Sequence, residues 1–122
     1  MAGHVDRPEL ESRFLLGSRV LRQCAASCAT ALEEYVSQLG SPVQHELFRE
    51  LIPAIAAVRT AADLLHDQRS VELVLRLAHE ACSRAAAECR RYGLDEALLR
   101  CAAACDEAVS EIELLATSLV HE

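Results

Sequence analysis

The 122 residues are enough for one hydrophobic core and too few for two, so a single domain spanning 1–122 is expected. Hydrophobic residues make up 52% and aromatics only 3%, with alanine supplying much of the total, which favours closely approaching helices over sheets of bulky strands. The formal charge is −7 and the 12 cations, all arginine, form no basic block, so nucleic acid is not expected as a partner.

In chain order, residues 1–7 are polar and lack the basic segment and apolar run of a secretory signal. No window is apolar enough for long enough to span a bilayer, so a cytoplasmic location without a membrane partner is expected. Pro8 suits the first position of a short lead-in helix carrying Leu10, Phe14, Leu15 and Leu16 towards Gly17. A first bundle helix is predicted over about 18–39, with an inward stripe of Leu21, Cys24, Ala25, Cys28, Ala31, Leu32, Tyr35 and Leu39, ending at Gly40-Ser41-Pro42.

A second helix, about 43–66, carries Phe48, Leu51, Ile55, Val58, Ala62 and Leu65 and keeps its phase through Pro53, where a kink is expected. It holds no cysteine. After His66-Asp67-Gln68-Arg69, Ser70 is the expected N-cap of a third helix, about 70–92, whose stripe is Val71, Val74, Leu75, Ala78, Cys82, Ala85, Cys89 and Tyr92. Gly93 terminates it. Asp95 is the expected cap of the fourth helix, about 95–119, with Leu94 stapled onto Leu99 and a seam of Leu98, Cys101, Cys105, Ala108, Ile112, Leu115 and Leu119. Four such helices with short connections predict an all-α fold, an antiparallel up-down-up-down four-helix bundle preceded by the lead-in helix.

The six cysteines fall on inward stripes as Cys24-x3-Cys28, Cys82-x6-Cys89 and Cys101-x3-Cys105. Steps of four and seven return a side chain to the same helix face. At ~1.5 Å per residue, counted from the end where the first helix stops, Cys28, Cys82 and Cys105 are expected at about 15 Å, Cys101 and Cys89 at about 9 and 5 Å, and Cys24 deepest at about 21 Å. In a reducing cytosol these are expected to be thiols. Helical i, i+4 neighbours hold Cβ atoms roughly 5–6 Å apart against about 3.8 Å in a disulfide, so bridging within a Cys-x3-Cys pair would strain the helix.

Thiolates select Cu(I), zinc or iron–sulfur clusters over hard cations. Two sulfurs of an i, i+4 pair can stand about 4–5 Å apart, near twice a ~2.3 Å metal–thiolate bond, as linear Cu(I) requires. Zinc ranks second, because its usual Cys-x2-Cys turn is absent. The expected ligands are Cys24, Cys28, Cys82, Cys89, Cys101 and Cys105, with His79, three residues before Cys82, as a candidate accessory ligand.

The segments Gln23-Cys24-Ala25-Ala26-Ser27-Cys28-Ala29, Ala78-His79-Glu80-Ala81-Cys82-Ser83-Arg84-Ala85-Ala86-Ala87-Glu88-Cys89 and Arg100-Cys101-Ala102-Ala103-Ala104-Cys105 resemble the cysteine-rich four-helix-bundle copper storage proteins, also described as four-helix-bundle copper-binding or ferredoxin-like proteins. The resemblance covers roughly residues 18–118. It implies a bundle whose core thiolates hold many Cu(I) ions, commonly in a homo-oligomer. Members of that family line all four helices with cysteine, whereas here the second helix has none and Ala78 and Ala85 stand where further cysteines would be expected.

The competing readings are a structural or protein-interaction bundle whose cysteines only pack, and a redox sensor whose thiols join across helices. His45 and His66 lie near helix ends and His4 and His121 near the termini, where solvent exposure is the default. Tyr35 and Tyr92 are expected to close the cysteine-bearing end of the core. No nucleophile elbow, phosphate loop or matched inward Glu-x-x-His pair occurs, so no enzyme activity is expected.

Overall fold

The computed structural model describes residues 7–38, 41–65, 70–92 and 95–120. Within them the chain forms four α-helices: α1 (Arg7–Tyr35), continued by a 3₁₀ turn at Val36–Gln38, α2 (Pro42–Asp63), α3 (Val71–Arg90) and α4 (Glu96–Val120). Contacts run α1–α2, α2–α3, α3–α4 and α4–α1, so each helix packs on its two neighbours in an all-α four-helix bundle. No helix among the described residues is long and apolar enough to cross a membrane.

The lead-in segment and the first bundle helix are one continuous α1. Gly17 does not interrupt it, because a side chain there would meet the neighbouring helix: a Cβ at Gly17 would stand 2.8 Å from Leu115 Cδ1 of α4. Helix interiors tolerate glycine at roughly 1 kcal/mol relative to alanine, and close approach of α1 to α4 offsets that cost.

Ser41 starts α2, its Oγ accepting from the Gln44 N–H at 3.0 Å, with Pro42 following in the first turn. Asp95 caps α4 as expected, its Oδ1 accepting from the Leu98 N–H at 3.1 Å. Ser70 differs. Its backbone (φ −111°, ψ −13°) lies on the helical side rather than extended, and its side chain makes no capping bond; only its carbonyl serves, accepting from Val74 N–H at 3.1 Å. The expected Leu94 staple, the Gly93 terminator and the 66–69 connection lie outside the described residues.

The core is aliphatic, with alanine at the close approaches and cysteine at its centre. α2 runs unbroken through Pro53 and turns Leu47, Leu51, Ala54, Val58, Ala61 and Ala62 inward, with Leu65 buried just past its end. Phe48 and Ile55, expected on this stripe, are half-buried at its edge, since small Ala54 and Ala61 take the innermost positions. α3 buries Val71, Leu75, Ala78, Cys82, Ala85, Ala86 and Cys89, and α4 buries Leu98, Cys101, Cys105, Ala108, Ile112 and Leu115. Ion pairs join neighbouring helices: Arg13 of α1 meets buried Glu111 of α4 at 2.7 Å, and on the surface Arg22 of α1 meets Asp63 of α2 at 2.6 Å. The Arg22 pair is exposed and contributes at most about 1 kcal/mol.

Candidate metal centre

All six cysteines are free thiols and fully buried. Their sulfurs make a connected chain across three helices: Cys82–Cys24 at 4.0 Å, Cys24–Cys105 at 3.8 Å, Cys105–Cys28 at 3.7 Å and Cys28–Cys101 at 3.4 Å. Cys89 stands beside the chain, its pKa raised by Cys101. Because α1 and α3 pack on α2 and α4 at their sides, the Cys24–Cys82 contact crosses the bundle interior. α2 supplies no sulfur and stands as an apolar wall of Leu47, Leu51, Ala54 and Val58.

The layering differs in part from the expected one. Cys28 lies against Cys105 at 3.7 Å, as expected, but Cys24 rather than Cys28 meets Cys82, at 4.0 Å, and Cys28 also meets Cys101 at 3.4 Å. The α-helix of α1 stops at Tyr35 and continues as the 3₁₀ turn rather than running to about residue 39.

Cys24, Cys28 and Cys105 place their sulfurs within 4.8 Å of one another and can together hold a metal ion. The group of mutually close ligand atoms stops at three among the described residues. A planar three-coordinate ion with ~2.3 Å bonds separates its sulfurs by about 4.0 Å, and a linear one by about 4.6 Å. Two of the triad's edges, at 3.7 and 3.8 Å, sit close to the three-coordinate value, and the third, Cys24–Cys28, lies within 4.8 Å.

Thiol acidity within the chain is uneven. Hydrogen bonds with Cys105, Cys28 and Cys82 lower the Cys24 pKa against the opposing effect of burial. Cys28 is pushed up by its hydrogen bonds with Cys101, Cys105 and Cys24 and by burial. Cys89 is pushed up by its bond with Cys101 and by burial.

His79 takes another role from the one its spacing suggested. It is half-exposed, its Nε2 lies 3.0 Å from Glu113 Oε1, and with Glu72, Leu75, Arg76 and Ile112 it lines a groove between α3 and α4 of about 360 Å³. It is not part of the thiol group. His45 is exposed, as expected for a helix end.

Beyond the thiols, the cysteine-bearing end carries a polar layer that sequence reasoning left largely unassigned. Tyr35 is buried and its hydroxyl donates to Asp95 Oδ2 at 2.6 Å, linking α1 to the cap of α4. The Tyr92 hydroxyl donates to buried Glu88 Oε1 at 2.7 Å, and Arg91 pairs with the same carboxylate at 3.2 Å. Gln44 donates from Nε2 to the Tyr35 carbonyl at 3.3 Å. The i, i+4 spacing of Glu88 and Tyr92 was a legible signal for one of these contacts.

Burial first, and then Asp95, push the Tyr35 phenol up to about 12 from an ordinary 10. A raised pKa means that the folded state holds this proton more tightly, so the contribution is full below about pH 10 and is lost as pH rises towards 12. Chemical denaturation across that window is expected to show stability falling, with a shallower fall in Tyr35→Phe; equal slopes would contradict this role.

The fold and the site together define a four-helix bundle with a buried three-thiol group able to hold a metal ion. Comparison with protein-family models, curated proteins and solved structures finds no match to this chain.

Proposed function

We propose that the bundle binds and stores, or buffers, Cu(I) on its core thiolates in a reducing cytoplasmic setting, as a binding protein rather than an enzyme. The observation that supports this most is the buried triad of Cys24, Cys28 and Cys105, three mutually close soft donors, with no fourth ligand atom within 4.8 Å of all three among the described residues. Tetrahedral zinc wants four ligands, whereas Cu(I) accepts two or three thiolates. The sulfur chain continuing to Cys82 and Cys101 gives neighbouring ions shared, bridging ligands. Bridging also reduces the negative charge left in an apolar core, because fewer thiolates are then spent per ion. The resemblance carried by the three cysteine segments points to the same chemistry, and by extension to a homo-oligomer.

X-ray absorption at the copper edge of the loaded, reduced protein tests the ligand set. A shell of sulfur alone near ~2.3 Å is the expected result. A dominant nitrogen or oxygen shell would contradict the proposal.

Uptake must also be coupled to protons. Cys28 and Cys89, with raised pKa values, enter the reaction as thiols and must release their protons to become ligands. Apparent Cu(I) affinity is therefore expected to rise with pH through the neutral range, by roughly tenfold per pH unit for each proton released. Competition titrations at several pH values read this slope directly, and a flat profile would count against thiol ligation.

A further inference from the structure

The same triad has a property that copper does not exploit. Three thiolates carry three negative charges, of which a monovalent ion leaves two uncompensated and a divalent ion one. The buried polar residues among those described are Gln44, Glu88 and Glu111, so no buried cation stands ready to offset the remainder. Residual charge in an apolar interior is costly unless it is paired. A trivalent centre bound by three thiolates, by contrast, is neutral.

We propose that Cys24, Cys28 and Cys105 form a binding site for trivalent arsenic, taken up as uncharged arsenous acid. The inference uses the residues of the copper reading but does not depend on copper. Trivalent arsenic binds three sulfurs as a pyramid, its lone pair filling the fourth direction, and the group of mutually close ligand atoms here is three. A pyramidal centre draws its sulfurs closer than a planar one. Two of the triad's three edges, at 3.7 and 3.8 Å, already lie below the about 4.0 Å expected of a planar ion with ~2.3 Å bonds, and the third, Cys24–Cys28, lies within 4.8 Å.

The reaction balances without an oxidant or an external base. Three As–O bonds break and three As–S bonds form. Each thiol proton leaves with a hydroxide as water, so arsenous acid and three thiols give the neutral tris-thiolate and three waters, and arsenic stays trivalent throughout. The incoming molecule and the product are both uncharged, which suits a core that is otherwise aliphatic.

The test is native mass spectrometry of the reduced protein, held anaerobically with sodium arsenite, alongside a count of free thiols. One arsenic per chain is expected, with three hydrogens lost, no hydroxyl retained and three of six thiols protected. The adduct should disappear in Cys105→Ala and persist in Cys89→Ala. No adduct in excess arsenite, an adduct keeping a hydroxyl on two sulfurs, or one undiminished in Cys105→Ala would each overturn the proposal. The wild-type stoichiometry decides the matter even if a variant fails to fold. Copper uptake without an arsenic adduct sinks this inference alone, whereas an arsenic adduct without copper uptake supports it and sinks the copper reading.

Discussion

Cys105→Ala is expected to lower Cu(I) affinity by more than about a hundredfold while leaving the bundle folded. Cys105 is the one member of the triad that comes from α4, and its sulfur touches both Cys24, at 3.8 Å, and Cys28, at 3.7 Å. Without it the triad reduces to two sulfurs on one helix. Changes to groups that merely support a ligand already cost 10–100-fold in affinity, so loss of a ligand shared between neighbouring positions should exceed that. The structural cost is small by comparison. Alanine keeps most of the volume and stays apolar, and such core swaps usually cost less than about 1.5 kcal/mol. A chelator competition and a urea melt on the same sample separate the two effects. Equal affinities in wild type and variant would remove Cys105 from the site.

The largest effect on stability is expected from Leu115→Ala. Leu115 is fully buried, and its methyls fill the space left open by the missing side chain of Gly17. Truncation leaves a cavity where α4 meets α1, and buried Leu→Ala changes cost about 2.7–5.0 kcal/mol. Against a total stability of about 5–15 kcal/mol, that is a large share. Gly17→Ala supplies the matching test. In the native background its new methyl collides with Leu115, so the ordinary helix-propensity gain of roughly 0.5–1 kcal/mol should not appear. In the Leu115→Ala background it should appear in full, with part of the cavity refilled. Urea denaturation of the four proteins gives the coupling, and simple additivity would contradict the packing described.

The inward placement of the six cysteines was legible because four- and seven-residue spacings fix a helix face regardless of what lies opposite. The Asp95 cap was legible for a similar reason: three residues separate its carboxylate from the N–H that it accepts. Gly17 was not, since its signal as a terminator is local while its packing against Leu115 depends on a helix nearly a hundred residues away. The pairing of sulfurs was legible in part: Cys28 meets Cys105 as expected, whereas Cys82 meets Cys24 rather than Cys28, because spacing within a helix does not contain the axial register of one helix on another. The tie between His79 and Glu113 needed the register of α3 on α4, which spacing within a helix does not contain.

Zinc and pure packing make different demands on the same sulfurs, and a single titration separates them from copper. The fully reduced protein is titrated anaerobically with Cu(I) against a chromophoric chelator, with thiols counted before and after. The copper account predicts uptake of several equivalents ahead of the chelator, ending at a fixed copper-to-thiol ratio and lost when Cys105 is replaced. Failure to compete, with all six thiols still free at the end, would contradict it and leave the cysteines as packing for the bundle.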